Sequence, residues 1–278
     1  MLKNNYHTHM RFCNHAKGDV IDYVKYANEL GMEELGMSDH GPIPLNHHMT
    51  DEEYKALYCY ENMNLDVFEL YLNQIEDAQL KYPNMRILKA LECEYLYDND
   101  KWYENLRKRL DYMILGVHFY EYENHMIDTY KDLNYDNVYS YVENVNRALS
   151  TGLYDYLAHP DLFFFEYKDK DGNWTFDQRC KDVTNKLIDL AVKYDVYFEI
   201  NCNGVRFAKN KDDINMWRYP NIEFFKIVKE YQDKNPNKLK LILGCDAHQP
   251  EALDNENVKA VLKFVEDLGL KVLTKIEL

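Results

Sequence analysis

The feature that most limits what this chain can fold into is an alternation, repeated seven times, of a short apolar run with a longer segment of helical period. The apolar runs lie near Lys3 to His7 and at Glu34 to Ser38, Met85 to Leu91, Tyr112 to Val117, Tyr154 to Ala158, Tyr197 to Ile200 and Leu239 to Leu243. The helical patterns run from Asp19 to Leu30, which Gly31 closes, and then over Asp66 to Lys81, Lys101 to Arg109, Tyr135 to Ser150, Asp177 to Lys193, Asn221 to Asp233 and Asn255 to Leu268. Alternating strands and helices imply a parallel sheet with helical crossovers, and seven or eight such units close into a barrel. At 278 residues the chain is near the roughly 250 typical of one α/β barrel. No linker rich in Gly, Pro or Ser divides it, so a single domain over residues 1–278 is expected. The short run Lys271 to Leu273 is either an eighth strand or a tail.

The chemistry falls at one end of these strands. His7 and His9 end the first, Asp39 and His40 follow the second, Glu92 and Glu94 the third, and His118 the fourth. His159 follows the fifth, Glu199 and Asn201 the sixth, and Asp246 and His248 the seventh. In a barrel the carboxyl ends form one rim, so these residues converge on one pocket. His7 and His9 share a face, because side chains in a strand repeat every two residues. Of the ten histidines, His7, His9, His15, His40, His118, His159 and His248 are placed this way, while His47, His48 and His125 sit in polar loops. Seven imidazoles with several carboxylates exceed what one tetrahedral zinc takes. Two or three divalent ions fit better, with a carboxylate such as Glu92 bridging neighbours, an arrangement suited to in-line displacement at phosphorus. Mixed imidazole and carboxylate donors suit Zn, Fe or Mn.

Composition excludes other classes. A formal charge of −15 argues against coating nucleic acid, which needs clustered Lys and Arg. No window reaches the roughly 18 apolar residues of a membrane span, and no signal peptide opens the chain, so a cytoplasmic protein is expected. The six cysteines, Cys13, Cys59, Cys93, Cys180, Cys202 and Cys245, form no C-x-x-C pair and are expected to be buried free thiols.

In order along the chain, His7-Thr8-His9, Phe12-Cys13-Asn14-His15-Ala16, Ser38-Asp39-His40, Leu91-Glu92, Val117-His118-Phe119, Ala158-His159-Pro160-Asp161, Glu199-Ile200-Asn201 and Asp246-Ala247-His248 resemble the polymerase and histidinol phosphatase (PHP) family. The resemblance implies a distorted, TIM-like (β/α)7 barrel with a trinuclear metal centre. It implies that His7, His9, Glu92 and Asp246 hold one ion, that Glu92 bridges to a second held by His118 and His159, and that His15, His40 and His248 hold the third. Asp39 is expected to orient His40 or to accept a backbone hydrogen bond, not to bind metal. Glu92 is preferred to Glu94 because the ligand follows the apolar residue directly. Glu199 and Asn201 are either supports for ligands or plain strand-end polar residues.

A phosphate also needs a cationic fork. Arg206, in a segment resembling the family's Asn-x-x-Gly-x-Arg, is the first candidate for binding it, and Arg11 the second. Glu92, Asp246 and His248 are the catalytic candidates, with Asp246 or a nearby His passing a proton to the leaving alkoxide. The segments around His15 and His159 are most similar to stand-alone histidinol-phosphate phosphatases of histidine biosynthesis, so the expected substrate is a small phosphomonoester, L-histidinol phosphate first. The loop Phe119-Tyr120-Glu121-Tyr122-Glu123-Asn124-His125 lacks the Gly- and Trp-rich stretch of many such enzymes. Nucleotides remain an alternative, and the aromatic residues Phe119, Tyr120, Phe163, Phe164 and Phe165 suit stacking on an imidazole or a base. A non-catalytic module bound to a polymerase, and an amidohydrolase barrel, are the other readings. The latter usually carries a lysine where this chain has His118.

Overall fold

The computed structural model describes residues 2–44, 52, 62–123 and 125–278. Its centre is a seven-stranded, wholly parallel sheet: β1 (Asn4–Asn5), β2 (Glu34–Met37), β3 (Arg86–Cys93), β4 (Tyr112–Leu115), β7 (Tyr156–Leu157), β8 (Tyr197–Asn201) and β9 (Lys240–Gly244), adjacent in that order. Register is continuous across the sheet, from Asn4 opposite Glu34 to Asn201 opposite Gly244. Among the described residues the strands are followed by seven helices, α1 (Val20–Glu29), α2 (Leu65–Lys81), α3 (Asp100–Arg107), α4 (Val138–Ser150), α5 (Gln178–Lys193), α6 (Ile222–Lys234) and α7 (Glu256–Leu268). Each is amphipathic. α1 buries Val20, Tyr23, Val24 and Ala27, the i, i+3, i+4, i+7 stripe of one helix face. Its start is fixed by the Asp22 carboxylate, which accepts the Asp19 N–H at 2.8 Å.

The barrel closes through the chain just beyond its first and last strands. Thr8 and Ala247 form a parallel bridge, the His9 N–H donates to Ala247 O at 2.8 Å and the Ala247 N–H to His7 O at 3.3 Å. Lower down, the C-terminal tail fills the same seam. Leu273 bridges to Ile242, Asn4 Nδ2 donates to Thr274 O at 2.7 Å, and the Ile276 N–H donates to the Tyr6 hydroxyl at 3.3 Å. Glu34 receives Lys275, Arg86 and the Tyr6 hydroxyl together.

Inside the barrel Tyr6, Leu88, Ala90, Tyr112, Ile114, Tyr156, Ala158, Tyr197 and Ile242 pack with Ile276 of the tail. Continuing the period of two along β3 and β8 past Ala90 and Tyr197 brings Glu92 and Glu199 onto the same face, so buried carboxylates cap this apolar stack at the rim. A larger cluster fills the layer between sheet and helices.

The expected α/β barrel of seven strand and helix units is what the chain forms. Two details differ from the expectation, and one that it left open is decided. After His118 the chain makes an antiparallel hairpin, β5 (Phe119–Tyr122) and β6 (His125–Asp128), so His125 lies in a strand and not in a loop. The fifth strand shrinks to Tyr156–Leu157, because the chain leaves the sheet toward His159, whose φ is 28°. Lys271 to Leu273 is a tail with one bridge and not an eighth strand. His47, His48 and Cys59 lie outside the described residues.

Candidate metal centre

The rim collects what the strands deliver. Beyond β1, Thr8 turns to β2, its hydroxyl donating to Gly36 O at 2.8 Å and its N–H to Ser38 Oγ at 2.9 Å. His7 and His9, on either side of it, bring their Nε2 atoms to 3.0 Å of each other. His118 and His159 do the same at 3.0 Å, and His15 and His248 at 2.9 Å. Glu92 sits among them. Its Oε1 is 2.9 Å from His159 Nε2 and 3.7 Å from His118 Nε2, while its Oε2 is 3.2 Å from His7 Nε2, 3.4 Å from His9 Nε2 and 3.4 Å from His40 Nδ1. Asp246, with φ at 49°, places Oδ1 at 3.0 Å from His9 Nε2 and 3.8 Å from His7 Nε2. Both His159 and Asp246 therefore hold backbone conformations uncommon for non-glycine residues, a strain that clusters at functional sites.

For four of the imidazoles the outer nitrogen explains why the inner one faces the cluster. His7 Nδ1 is 2.7 Å from Glu199 Oε1, and His118 Nδ1 is 2.7 Å from Glu94 Oε1. His15 Nδ1 is 3.0 Å from Cys13 O, and His248 Nδ1 is 3.0 Å from Asp246 O. Those acceptors fix the Nδ1–H tautomer and leave each Nε2 with its lone pair pointing inward. Lone pairs facing at about 3 Å repel unless a cation lies among them, so the donor set is that of a metal site. Four overlapping sets of potential ligands occur: His9, His40 and His248; His7, His9 and Asp246; His40, Glu92 and His118; and His9, Cys13 and Asp39. Because the sets share His9 and His40, the donors make one continuous cluster.

The electrostatics agree. Burial alone would push the Glu92 carboxyl up, but His7, His118 and His40 hold it well below the usual carboxylate range. Asp246 is likewise held well down, burial being outweighed by His7 and His248. Burial and the neighbouring His9 hold His40 and His248 well below the ordinary imidazole value, leaving them neutral donors. For His7, burial opposes the charge, yet Glu199, Glu92 and Asp246 raise its pKa well above normal, which marks a position that attracts positive charge. At Gly116 the chain passes so near that a Cβ would lie 2.5 Å from Glu92 Oε1 and 2.8 Å from His118 Cε1. Only glycine fits there.

All nine residues singled out as ligands, His7, His9, His15, His40, Glu92, His118, His159, Asp246 and His248, come together at this rim. Glu94 instead holds His118, donating no oxygen to the centre of the cluster but accepting the His118 and Phe119 N–H groups through Oε2. Asp39 lies toward His9, its Oδ1 at 3.8 Å from Nδ1, while accepting the His40 N–H. Glu199 and Asn201 are supports: Glu199 Oε2 accepts the His159 N–H at 2.7 Å, and Asn201 Nδ2 donates to Asp246 Oδ2 at 3.1 Å. Asn203 went unremarked in the sequence. Its Nδ2 reaches Asp246 Oδ2 and His248 Nδ1, each at 3.3 Å, and its position two residues after Asn201 was the available signal. Arg206 is exposed on the short helix Asn203–Phe207, near enough to bear electrostatically on His248. Arg11 is half exposed and engaged by Asp19 Oδ1 at 2.6 Å. Of the aromatic residues expected to face a ligand, Tyr120, Phe163 and Phe164 are core, Phe119 packs on the cluster of Ile43 and Leu96, and Phe165 is half-buried.

A family model described as the PHP domain matches residues 5–203. Over 277 residues the chain is 24% identical to a Deinococcus radiodurans protein named "Probable histidinol-phosphatase", covering 96% of this chain and 94% of that one. A Schizosaccharomyces pombe protein of the same name is 22% identical over 291 residues, covering 98% and 88%. The crystal structure of histidinol phosphate phosphatase from Lactococcus lactis, complexed with zinc, L-histidinol and phosphate, superposes with a TM-score of 0.69 at 16% identity, covering 100% of each chain. That likeness shows a common fold at full length. With the family model spanning most of its length, this chain belongs to the PHP family.

Proposed function

We propose that the chain is a metal-dependent phosphomonoester hydrolase whose substrate is L-histidinol phosphate, cleaved by water to L-histidinol and phosphate in histidine biosynthesis. The observation that carries this reading is the meeting of six imidazoles in three Nε2 pairs around Glu92 and Asp246. Two relatives matched over 94% and 88% of their length and named "Probable histidinol-phosphatase", and a neighbour of the same fold complexed with zinc, L-histidinol and phosphate, support the choice of substrate. In this reading His7, His9, Glu92 and Asp246 hold one ion, His118 and His159 with Glu92 a second, and His15, His40 and His248 a third, of Zn, Fe or Mn. Such ions, when bound, bring water's pKa toward neutrality and draw charge from the phosphoryl oxygens.

The chain's own groups do the rest. Glu199, Glu94 and Cys13 O fix the imidazole tautomers. Arg206 supplies the planar fork for the phosphate. Asp246, ionised and braced by Asn201 and Asn203, lies beside His248, placed to take the proton released by the attacking water and return it to the departing alcohol oxygen. Residues 1–278 act as one domain in this reading, and the five described cysteines, all free, support a reducing cytoplasmic setting. No described helix is long and apolar enough to cross a membrane.

The test compares turnover of L-histidinol phosphate with that of nucleoside monophosphates, in wild type and Glu92→Gln. Clear preference for histidinol phosphate, lost by at least about a hundredfold in the variant, is expected. Equal and slow turnover of both substrates would remove the assignment.

A further inference from the structure

Four rings from four separate segments meet beside the cluster. Tyr130 and Phe165 lie edge to face at 5.0 Å, Phe165 and Phe207 at 5.2 Å, and Tyr219 is 6.1 Å from both Phe165 and Phe207. Tyr130 also stacks on His118 at 5.9 Å with 6° between the planes, and Tyr219 meets His159 at 6.1 Å. The group is thus a wall that begins one ring's width from two proposed metal ligands.

This wall is not simply core. Of the consecutive phenylalanines Phe163, Phe164 and Phe165, the first two are buried, at 0% and 2% exposure, while the third turns to the rim. Phe207 is 38% exposed, Phe165 and Tyr130 are half-buried, and Tyr219, 1% exposed, backs them from the core. A purely structural cluster would hide these faces, because each leaves apolar area in water. The charged neighbour is already engaged, Glu166 lying 3.4 Å from both Lys168 and Arg218. The Tyr219 and Tyr130 hydroxyls bond to each other. What the wall offers outward is therefore flat π surface, which takes rings by offset stacking or edge contact.

We propose that Tyr130, Phe165, Phe207 and Tyr219 form the subsite for the alcohol half of the substrate, and that they select a planar aromatic or heteroaromatic ring. The inference rests on the hydrolase reading above and sharpens it. Arg206 and Phe207 are consecutive on one short helix, so the group for the phosphate and the group for the ring are set side by side. Arg206 packs over the Phe207 ring at 4.5 Å, which holds that ring in place. A ring on the wall and a phosphate at the metals lie close together, so the linker between them is short.

The test uses Phe207→Leu and the Phe165→Leu/Phe207→Leu pair, which keep apolar volume and remove the flat rings. Two numbers are read: kcat/KM for L-histidinol phosphate and for glycerol phosphate, which has no ring. The ratio of the first to the second should fall about tenfold in the double variant, chiefly through KM, and less in the single one. An unchanged ratio overturns the wall. Should the wild type cleave neither ester, the hydrolase reading fails by itself, and the wall is then judged by calorimetric binding of L-histidinol against 2-aminobutanol. Tighter binding of the ring-bearing alcohol, lost in Phe207→Leu, supports it. Equal binding of the two alcohols by the wild type overturns it.

Discussion

At the scale of single residues the rim depends on small clearances around Glu92. Gly116 leaves room where a methyl would collide with both Glu92 and His118. Gly116→Ala is expected to keep the fold and lower metal affinity roughly 10- to 100-fold, the range seen when ligand-orienting neighbours are disturbed. Metal-to-protein ratio after dialysis, read beside far-ultraviolet circular dichroism, checks this; full retention of metal would show that Glu92 has room to give. The ligands themselves were legible in the sequence because histidine and acidic side chains recur at one end of each strand. Of the aromatic wall only Phe165 was singled out in the sequence; Tyr130, Phe207 and Tyr219 share no period with it and come from three other connections. Phe119, Phe163 and Phe164 looked equally eligible, and only packing sends them elsewhere.

At the scale of elements, the helices were readable to within a few residues because a 3.6-residue stripe and a capping carboxylate are local signals, as in α1. The hairpin β5–β6 was missed, since Phe119–Tyr122 and His125–Asp128 mix aromatic and charged residues with no clean alternation. The tail was left undecided for a related reason: what anchors it is a distant side chain. Glu34, at the start of β2, holds the tail through Lys275 and holds Tyr6 and Arg86 as well. Burial opposes its charge, but Lys275, Tyr6 and Arg86 bring its pKa below normal. A carboxyl depressed in the folded state stabilises above its unfolded pKa, and that stabilisation is lost as pH falls through the folded value. Glu34→Gln should therefore cost about 1–3 kcal/mol near neutral pH, and the gap from wild type should close as pH drops below the usual carboxylate range. Denaturant melts at pH 7 and pH 3 measure it, and a gap constant with pH would contradict the role given to Glu34.

At the scale of the whole molecule, seven strand and helix units were enough to give the barrel, because parallel strands joined by helices have few other ways to bury both faces of a sheet. How the barrel closes was not visible. The seam between β1 and β9 joins residues some 240 apart through Thr8 and Ala247 and through the tail. His7 and His9 flank one side of that bridge and Asp246 and His248 the other, so on the proposed assignment metal binding would tie the seam. Stripping metal with a chelator should lower Tm by roughly 10 °C or more, given about 4 kcal/mol for one tightly held ion and about 2–4 °C per kcal/mol at this size. Thermal scans before and after chelation, with zinc or manganese added back, test this; an unchanged Tm would separate the ions from closure.

The seam also has a consequence in time. Proposed ligands some 240 residues apart impose an order on biosynthesis: a nascent polypeptide leaves the ribosome with His7 and His9 long before Asp246 and His248. Contacts of such long sequence separation form late in folding. On the proposed assignment, a chain cut short before Asp246 has no complete centre, and metal capture becomes a signal that the segment carrying Asp246 and His248 has been made.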